Sequence, residues 1–543
     1  MLGHEPIAGV PNAAVSEWRA HLVGRATVDA FRVRFEPLEL MGSATLSSGM
    51  DNKLYAATTD YISRPTDRIA NRLFIGTVRK AIRFQRSIVG AGDFLSYTFG
   101  LGEMELINAE QDYDYLIREY AIDGRRVTVK LGDANGPYDA FGTIFDGTAT
   151  GWHVDEDSLF VDLRDFGYQL EVPAQPNTYG GEGDTDGGEN IKGKRKPRAF
   201  GYCRNVTPAF LEPQKLLYQV NDGPVEEIVA VYARGVSLTK GVDHATVAQL
   251  LSADVVEGRF DTCEAVDGLF RISFANDAEK GAITCDVRGD KSGGVYVETA
   301  DQIVRRLATE TAEVERLQEN AFTRVAAMQP APVNLYIGPD DDIDVADACR
   351  AVMSSIGGWV GFRRNGYLEI GVLQAPEDGS PIASYDRIEI IEIIRQRLPD
   401  NIDPPPWRRR VGYARNWTLQ DGDLAGSVTD ERRAFLKEEY RVAEAKDDRI
   451  KTNHPQAQDP DLLEAAFDEE ADALDEAQRL LVLWRRTRSL YSIRLKTQPF
   501  LLNLGDVIRI TYPRWDLGAG KLLRVVSLDE DSEDNIVEVE AFG

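Results

Sequence analysis

Histidine is scarce and cysteine scarcer. The five histidines, His4, His21, His153, His244 and His454, stand far apart, which excludes the closely spaced pair of a zinc hydrolase. The four cysteines, Cys203, Cys263, Cys285 and Cys349, include no C-x-x-C spacing, so they predict reduced thiols in a protein assembled in a cytosol. No run of about 18 apolar residues occurs, which excludes a membrane-spanning helix. Met1 to Ser16 has no charged stretch followed by an apolar one, so no signal peptide is expected. No G-x-S-x-G elbow is present for a hydrolase nucleophile. Positive charge is in deficit: 62 Lys and Arg face 89 Asp and Glu, a formal net charge of −27. Such a surface repels phosphate backbones and anionic membranes, which argues against reading nucleic acid with a basic face.

Apolar residues are abundant enough to fill cores, and 543 residues accommodate roughly three to five domains. The C-terminal stretch Ser489 to Gly543 carries the clearest pattern. Tyr491, Ile493 and Leu495 alternate with Ser492, Arg494 and Lys496, the period of a half-buried strand. Asn503-Leu504-Gly505-Asp506 reads as a turn, Ile508 to Tyr512 and Leu522 to Leu528 as strands, and Asp529 to Asn535 as an acidic turn that no core accepts. Val537, Val539 and Ala541 then give a last strand, completing a small antiparallel β-barrel in which the final strand is pinned to a neighbour.

The fold class expected is mainly β with α+β, in several domains. Residues 1–49 form an N-terminal segment with a short helix through Val15, Trp18, His21 and Leu22 and a strand from Ala30 to Leu40. Residues 50–175 read as a first barrel, with strands at Val127–Leu131, Gly142–Gly147, Ser158–Leu163 and Gln169–Val172. The first half of residues 176–200 holds Gly180, Gly181, Gly183, Gly187 and Gly188 among acidic residues and the second half Lys192, Lys194, Arg195, Lys196 and Arg198, a composition that predicts a mobile exposed loop burying almost nothing. Residues 201–298 read as a β-rich domain, with strands at Leu216–Val220, Glu227–Tyr232, Arg271–Phe274 and Gly281–Val287. Residues 299–384 form an α+β unit: Thr299 and Asp344 cap helices, and Asn365-Gly366 between alternating residues is a strong hairpin signal. Residues 385–543 make a second barrel with a helical insertion at about 459–487, where Asp459 caps and Leu463, Phe467, Ala471, Leu474, Ala477, Leu481 and Trp484 form one stripe.

Candidate sites are weak. Gly188 to Lys194 fits G-x-x-x-x-G-K, but Arg195 stands where Ser or Thr would hold magnesium, and no strand and helix flank it. The stretch Asp184-Thr185-Asp186-Gly187-Gly188-Glu189 offers spaced oxygen ligands as a calcium loop would, without the closing Glu of a twelve-residue loop. Arg408-Arg409-Arg410 beside Trp407 has the look of a nucleic-acid patch, yet in so acidic a chain it reads first as internal salt-bridge partners or a subunit contact. No catalytic, cofactor or metal residue is assigned.

Several segments together resemble a known family. Asp60-Tyr61-Ile62-Ser63-Arg64-Pro65, Ile82-Arg83-Phe84-Gln85-Arg86, Gly102-Glu103-Met104-Glu105-Leu106-Ile107-Asn108 and Asp123 to Gly132 resemble the opening domain of tail-tip baseplate hub proteins from long-tailed phages and gene transfer agents. Arg204-Asn205-Val206-Thr207-Pro208, Leu217-Tyr218-Gln219-Val220 and Val231-Tyr232-Ala233-Arg234-Gly235 are similar to the next block of that group. The resemblance implies a non-enzymatic virion protein at the distal end of the tail, assembled in the host cytoplasm. It implies a homotrimer in which two tube-like β-barrels per chain present six barrels to a six-fold tube. The implied neighbours are a tail tube or distal tail protein, a central fibre or tip protein and a tape measure protein. DNA would pass through a gated channel without specific binding, and the acidic surface suits such passage. The alternative reading is a receptor- or polysaccharide-binding tail adhesin, favoured if residues 177–198 or 201–298 project outward; a tail-associated cell-wall hydrolase ranks lower.

Overall fold

Alternation of apolar and polar residues generates the dominant element, a 13-stranded sheet that runs through both ends of the chain. The computed structural model describes residues 31–35, 53–90, 93–274, 281–399, 402–496 and 500–543. The helix expected through Val15 to Leu22 lies outside the described residues, as does most of the strand expected from Ala30 to Leu40, whose described part is Phe31–Phe35.

The N-terminal unit contributes β1 (Phe31–Phe35), β2 (Tyr55–Ala57), the small hairpin β3 (Tyr61–Ile62) and β4 (Leu73–Phe74), β5 (Val78–Gly90), β6 (Asp93–Ile107), β7 (Arg126–Leu131), β8 (Gly142–Val154) and β9 (Ser158–Arg164). The C-terminal unit contributes β10 (Ala383–Tyr385), β11 (Ile390–Gln396), β12 (Leu490–Leu495), β13 (Val507–Ile510), β14 (Lys521–Asp531) and β15 (Ile536–Phe542). The sheet order is β2-β1-β7-β8-β9-β6-β5-β14-β15-β12-β11, with β13 also on β14 and β10 parallel to β13. The two halves keep separate cores. Phe84, Met104, Val127, Phe145 and Val161 lie in the first, and Tyr491, Ile493, Ile508, Val525 and Val539 in the second. The fold class is mainly β and multidomain, as expected from the strand patterns.

Between the units, the β domain is built from an antiparallel sheet centred on Ile283–Asp290 and a second sheet running from Ala209–Glu212 to Thr239–Asp243. The α+β unit follows, with α1 (Ala300–Arg306), α2 (Glu319–Met328) and α3 (Val345–Ser355). Thr299 and Gln302 form a capping box on α1, and the Asp344 carboxylate accepts the Asp347 N–H at the start of α3. The hairpin Gly358–Phe362 to Leu368–Val372 turns at Asn365-Gly366, where Gly366 takes φ +78°, a conformation open to glycine. The helix α2 had no sequence counterpart.

Several expectations need correction. Gln169–Val172 is not a strand: the Asp165 carboxylate accepts the Gly167 N–H and starts a 3-10 turn at Phe166–Leu170. The helix expected from Asp459 begins only at α4 (Glu470–Trp484), and Leu463–Phe467 is a strand alongside Arg408–Tyr413. Leu463, Ala465 and Phe467 fit period 2 as well as the helical stripe, and pairing decides between them. The insertion is also larger than 459–487. Val411, Ala443, Ala445, Ala465, Phe467, Ala473 and Ala477 share the core of the α+β unit rather than that of the C-terminal unit.

A further correction concerns residues 177–198. Tyr179 is 1% exposed and Ile191 is buried with it, against Leu211, Leu217 and Leu269 of the β domain. The Tyr179 hydroxyl donates to Gln219 Oε1 at 2.6 Å. The basic run stays at the surface but finds acids there: Lys194 pairs with Asp340 at 2.8 Å and Arg195 with Asp342 at 3.2 Å. A segment poor in apolar residues is docked by one aromatic anchor, and removing that ring should cost about 3–5 kcal/mol. Limited trypsin digestion should therefore spare the bonds after Lys192, Lys194 and Arg195 in the native chain and cut them early in Tyr179→Ala; rapid native cleavage there would show the anchor to be ineffective.

Candidate assembly interface

The two end units meet where β5 runs antiparallel to β14, with Ser87 opposite Ser527, Gln85 opposite Asp529 and Arg83 opposite Asp531. The stretch Asp529 to Asp531, expected in an acidic turn, is the end of strand β14. Its carboxylates are accepted because β5 brings the opposite charge. On the outer face Arg83 pairs with Asp529 at 2.8 Å, Gln85 donates to the same carboxylate at 2.6 Å, and Lys80 reaches Glu533 at 3.2 Å. Such exposed pairs contribute about 0–1 kcal/mol each and serve mainly to fix the register.

The inner face is different. Glu530 continues the inward alternation of Val526 and Leu528 and is 0% exposed. Arg86 Nη2 lies 3.5 Å from Glu530 Oε2, and Arg364 Nη1, from the α+β hairpin, lies 3.8 Å from the same atom. Glu530 Oε1 also accepts the Phe500 N–H at 2.6 Å, and Arg364 donates to the carbonyls of Phe500 and Leu502. Burial lowers the Arg364 guanidinium to about 10, and the Glu530 charge opposes that fall. One carboxylate thus ties together the N-terminal unit, the C-terminal unit and the α+β unit. Apolar side chains cross the same seam in both directions: Phe500 enters the N-terminal core and Ile88 the C-terminal core.

A second seam lies at Arg204-Asn205-Val206-Thr207, one of the segments that carried the family resemblance. Asn205 sits at φ +55°, a left-handed conformation that Asn tolerates better than most residues, and its side chain is a fully buried node. Its Nδ2 donates to Asn416 Oδ1 and Thr418 O, while its Oδ1 accepts from Thr284 Oγ1 and Arg432 Nη2. Arg204 reaches Asp468 at 3.2 Å, and Asn334 Nδ2 donates to the same carboxylate at 3.0 Å. Burial nevertheless pushes Asp468 up to about 7, against the pull of Arg204 and Asn334. These bonds join the β domain to the 402–468 insertion.

The motifs noted in the sequence are absorbed structurally. The loop Gly188–Arg195 follows the short 3-10 turn Asp184–Asp186 and precedes the strand Arg198–Phe200, so the strand and helix of a phosphate loop do not frame it. The Asp184 carboxylate accepts from Lys215, and the Asp186 carboxylate accepts the N–H groups of Gly180 and Glu182, which hold it below the usual range. No group of three metal-ligating side chains occurs among the described residues. Arg408 pairs with Asp459 and Glu444, and Arg410 with Asp459, so these two arginines are salt-bridge partners within the insertion. Arg409 lies largely buried between them, and burial lowers its guanidinium to about 10. His153 stacks on Phe160 across β8 and β9, His244 meets Asp261 at 3.0 Å, and His454 ends the short helix Arg449–Asn453; His4 and His21 lie outside the described residues. All four cysteines are buried, and burial raises their thiols, that of Cys263 to about 11, which leaves them neutral. Among the described residues no helix is long and apolar enough to cross a membrane.

Sequence reasoning missed the Arg86–Glu530–Arg364 cluster, although the phase of Val526, Leu528 and Glu530 along one strand face was a readable signal. No family model matches the chain, and no curated protein does. Among solved structures it is similar to the tail protein from Neisseria meningitidis MC58, at 11% identity over 86% of this chain and 95% of that one, with a TM-score of 0.39. The 43 kDa tail protein of prophage MuSo2 from Shewanella oneidensis matches at 8% identity over 87% and 94%, with a TM-score of 0.38. A chain of the virion of a native gene transfer agent particle matches at 15% identity over 65% and 84%, also at 0.38. At these TM-scores no residue's role and no assembly is carried across. The structural neighbours of this chain are phage tail, prophage tail and gene transfer agent virion proteins.

Proposed function

We propose that this chain is a structural virion protein, the baseplate hub that ends a tail tube, joins it to the tip or central fibre and gates the channel through which DNA leaves. The observation that carries the reading is the single sheet passing through both end units of one chain, with two cores and a buried ionic seam between them. A chain that presents two β units side by side supplies six units when three copies surround an axis, which matches three-fold parts to a six-fold tube. The role is mechanical and non-enzymatic. Electron microscopy of particles labelled with an antibody to this chain should place it at the distal end of the tail; label along the tube or on side fibres would favour the adhesin reading.

A further inference from the structure

The loop between β13 and β14 presents a tryptophan to solvent. Trp515 is 41% exposed and takes φ +53°, a left-handed conformation that a bulky side chain rarely adopts. The loop is built to hold it there. The Tyr512 N–H donates to the Leu517 carbonyl at 3.2 Å, the Arg514 N–H to the Tyr512 carbonyl at 2.8 Å and the Leu517 N–H to the Arg514 carbonyl at 3.2 Å, while the Leu517 side chain is buried in the C-terminal core. The Asp516 carboxylate accepts from the Tyr491 hydroxyl at 3.2 Å and pairs with Lys521. Backbone strain held in place by its surroundings clusters at ligand sites. Around the indole the chemistry is aromatic and basic. The Tyr512 ring lies 6.4 Å from it at 26° and the Tyr491 ring 6.0 Å from it at 58°, and the Arg514 guanidinium stands 4.8 Å from its centroid. Neither Arg514 nor Arg509, whose stem lies along Gly520 of the same loop, pairs with a carboxylate among the described residues. From Val507 to Lys521 three basic side chains meet one acid, in a chain of net −27.

We propose that Trp515 and Arg514 bind an acidic sugar unit of a polysaccharide. The indole stacks on the C–H face of the sugar ring, and the guanidinium, lying over the indole, turns its N–H groups to the sugar's carboxylate. The exposed Thr511 hydroxyl and the remaining lone pairs of Asp516 stand beside them for the sugar's hydroxyl groups. This inference goes beyond the hub reading and does not depend on how many copies surround an axis. A single-stranded nucleic acid also offers rings and anions, but holding it takes a basic groove that follows its backbone. Here the basic patch is one loop long, with a carboxylate at its centre that repels phosphate and accepts from hydroxyls.

The test is isothermal titration calorimetry of the full chain at about 0.15 M salt, where charges further apart than about 8 Å are screened. The probes are a hyaluronan hexasaccharide, which carries a carboxylate on every second sugar, the neutral hexamer of N-acetylglucosamine, and a hexanucleotide of thymidine. The hyaluronan probe should bind with a Kd of about 0.1–1 mM, and the neutral hexamer about fivefold more weakly for want of the ion pair. Trp515→Asn removes the ring while suiting the left-handed backbone, and should weaken binding of both sugars by about tenfold or more with the denaturant midpoint unchanged. Arg514→Gln should abolish the preference for the acidic sugar and leave the neutral one as it was; should Trp515→Asn lower the midpoint, this exposed substitution decides alone. Absence of heat with the hyaluronan probe at the highest concentration reached, a variant that binds like the native chain, or tighter binding of the hexanucleotide than of either sugar would overturn the assignment.

Discussion

Replacing Glu530 by alanine is expected to destabilise the protein by about 3–5 kcal/mol, the range seen when one partner of a buried ion pair is removed. The variant leaves Arg86 and Arg364 buried without their shared anion and leaves the Phe500 N–H without its acceptor. Because Phe500 fills the N-terminal core from the C-terminal unit, the loss should spread across the seam rather than remain local. Hydrogen exchange should show β5 and β14 opening together, and the denaturant midpoint should fall. Glu530→Gln keeps an acceptor oxygen for Phe500 and should lose less. An alanine variant that unfolds at the native denaturant concentration would mean that the three units are held by their cores alone.

The second large effect is a dependence on pH opposite to that of most carboxylates. Burial raises Asp468 to about 7 and Asp506 to about 6, from an ordinary 3.8. A carboxyl that holds its proton more tightly in the folded chain than in the unfolded one favours the folded state while it is protonated. Stability from these two groups is therefore present at low pH and declines as pH rises from about 4 through 6 for Asp506 and 7 for Asp468. Above pH 7 the folded chain carries Asp468 as a buried anion and Asp506 as a half-buried one. Asp468→Asn keeps the acceptor for Arg204 and Asn334 without the charge, so it should be close to neutral at pH 5 and stabilising by about 1–3 kcal/mol at pH 8. Comparing the variant with the native chain across pH separates this group from the general self-repulsion of a −27 surface. An equal effect of the substitution at both pH values would show that Asp468 does not titrate between them.

What was legible in the sequence was what neighbours in the chain decide. The Asn365-Gly366 turn, the caps at Thr299 and Asp344 and the alternation from Tyr491 to Leu495 each depend on residues a few positions apart, and each stands in the structure as read. The misreadings share one cause, a partner far away in sequence. Asp529 to Asp531 looked unfit for a sheet because Arg83 and Arg86 lie more than 400 residues upstream. The 177–198 segment looked mobile because Tyr179 gains its burial from strands beyond it and Lys194 and Arg195 find their counter-charges in acids near residue 341. Leu463 to Phe467 satisfied two periods at once, and only its pairing with Arg408–Tyr413 selected the strand. The seam at Glu530 was the largest omission, since a buried charge reads as a surface residue until its counter-ions are known.

Three copies of this chain at one end of a tail would place a formal −81 around the axis, a charge that repels the DNA backbone and eases its passage over the screening distance of about 8–10 Å. The central claim is that each chain supplies two β units and that three chains complete six. Quantitative mass analysis of this chain in isolated tails tests it most directly: the account predicts three copies per particle, whereas six, twelve or a variable number would contradict it and mark the chain as a tube or fibre component.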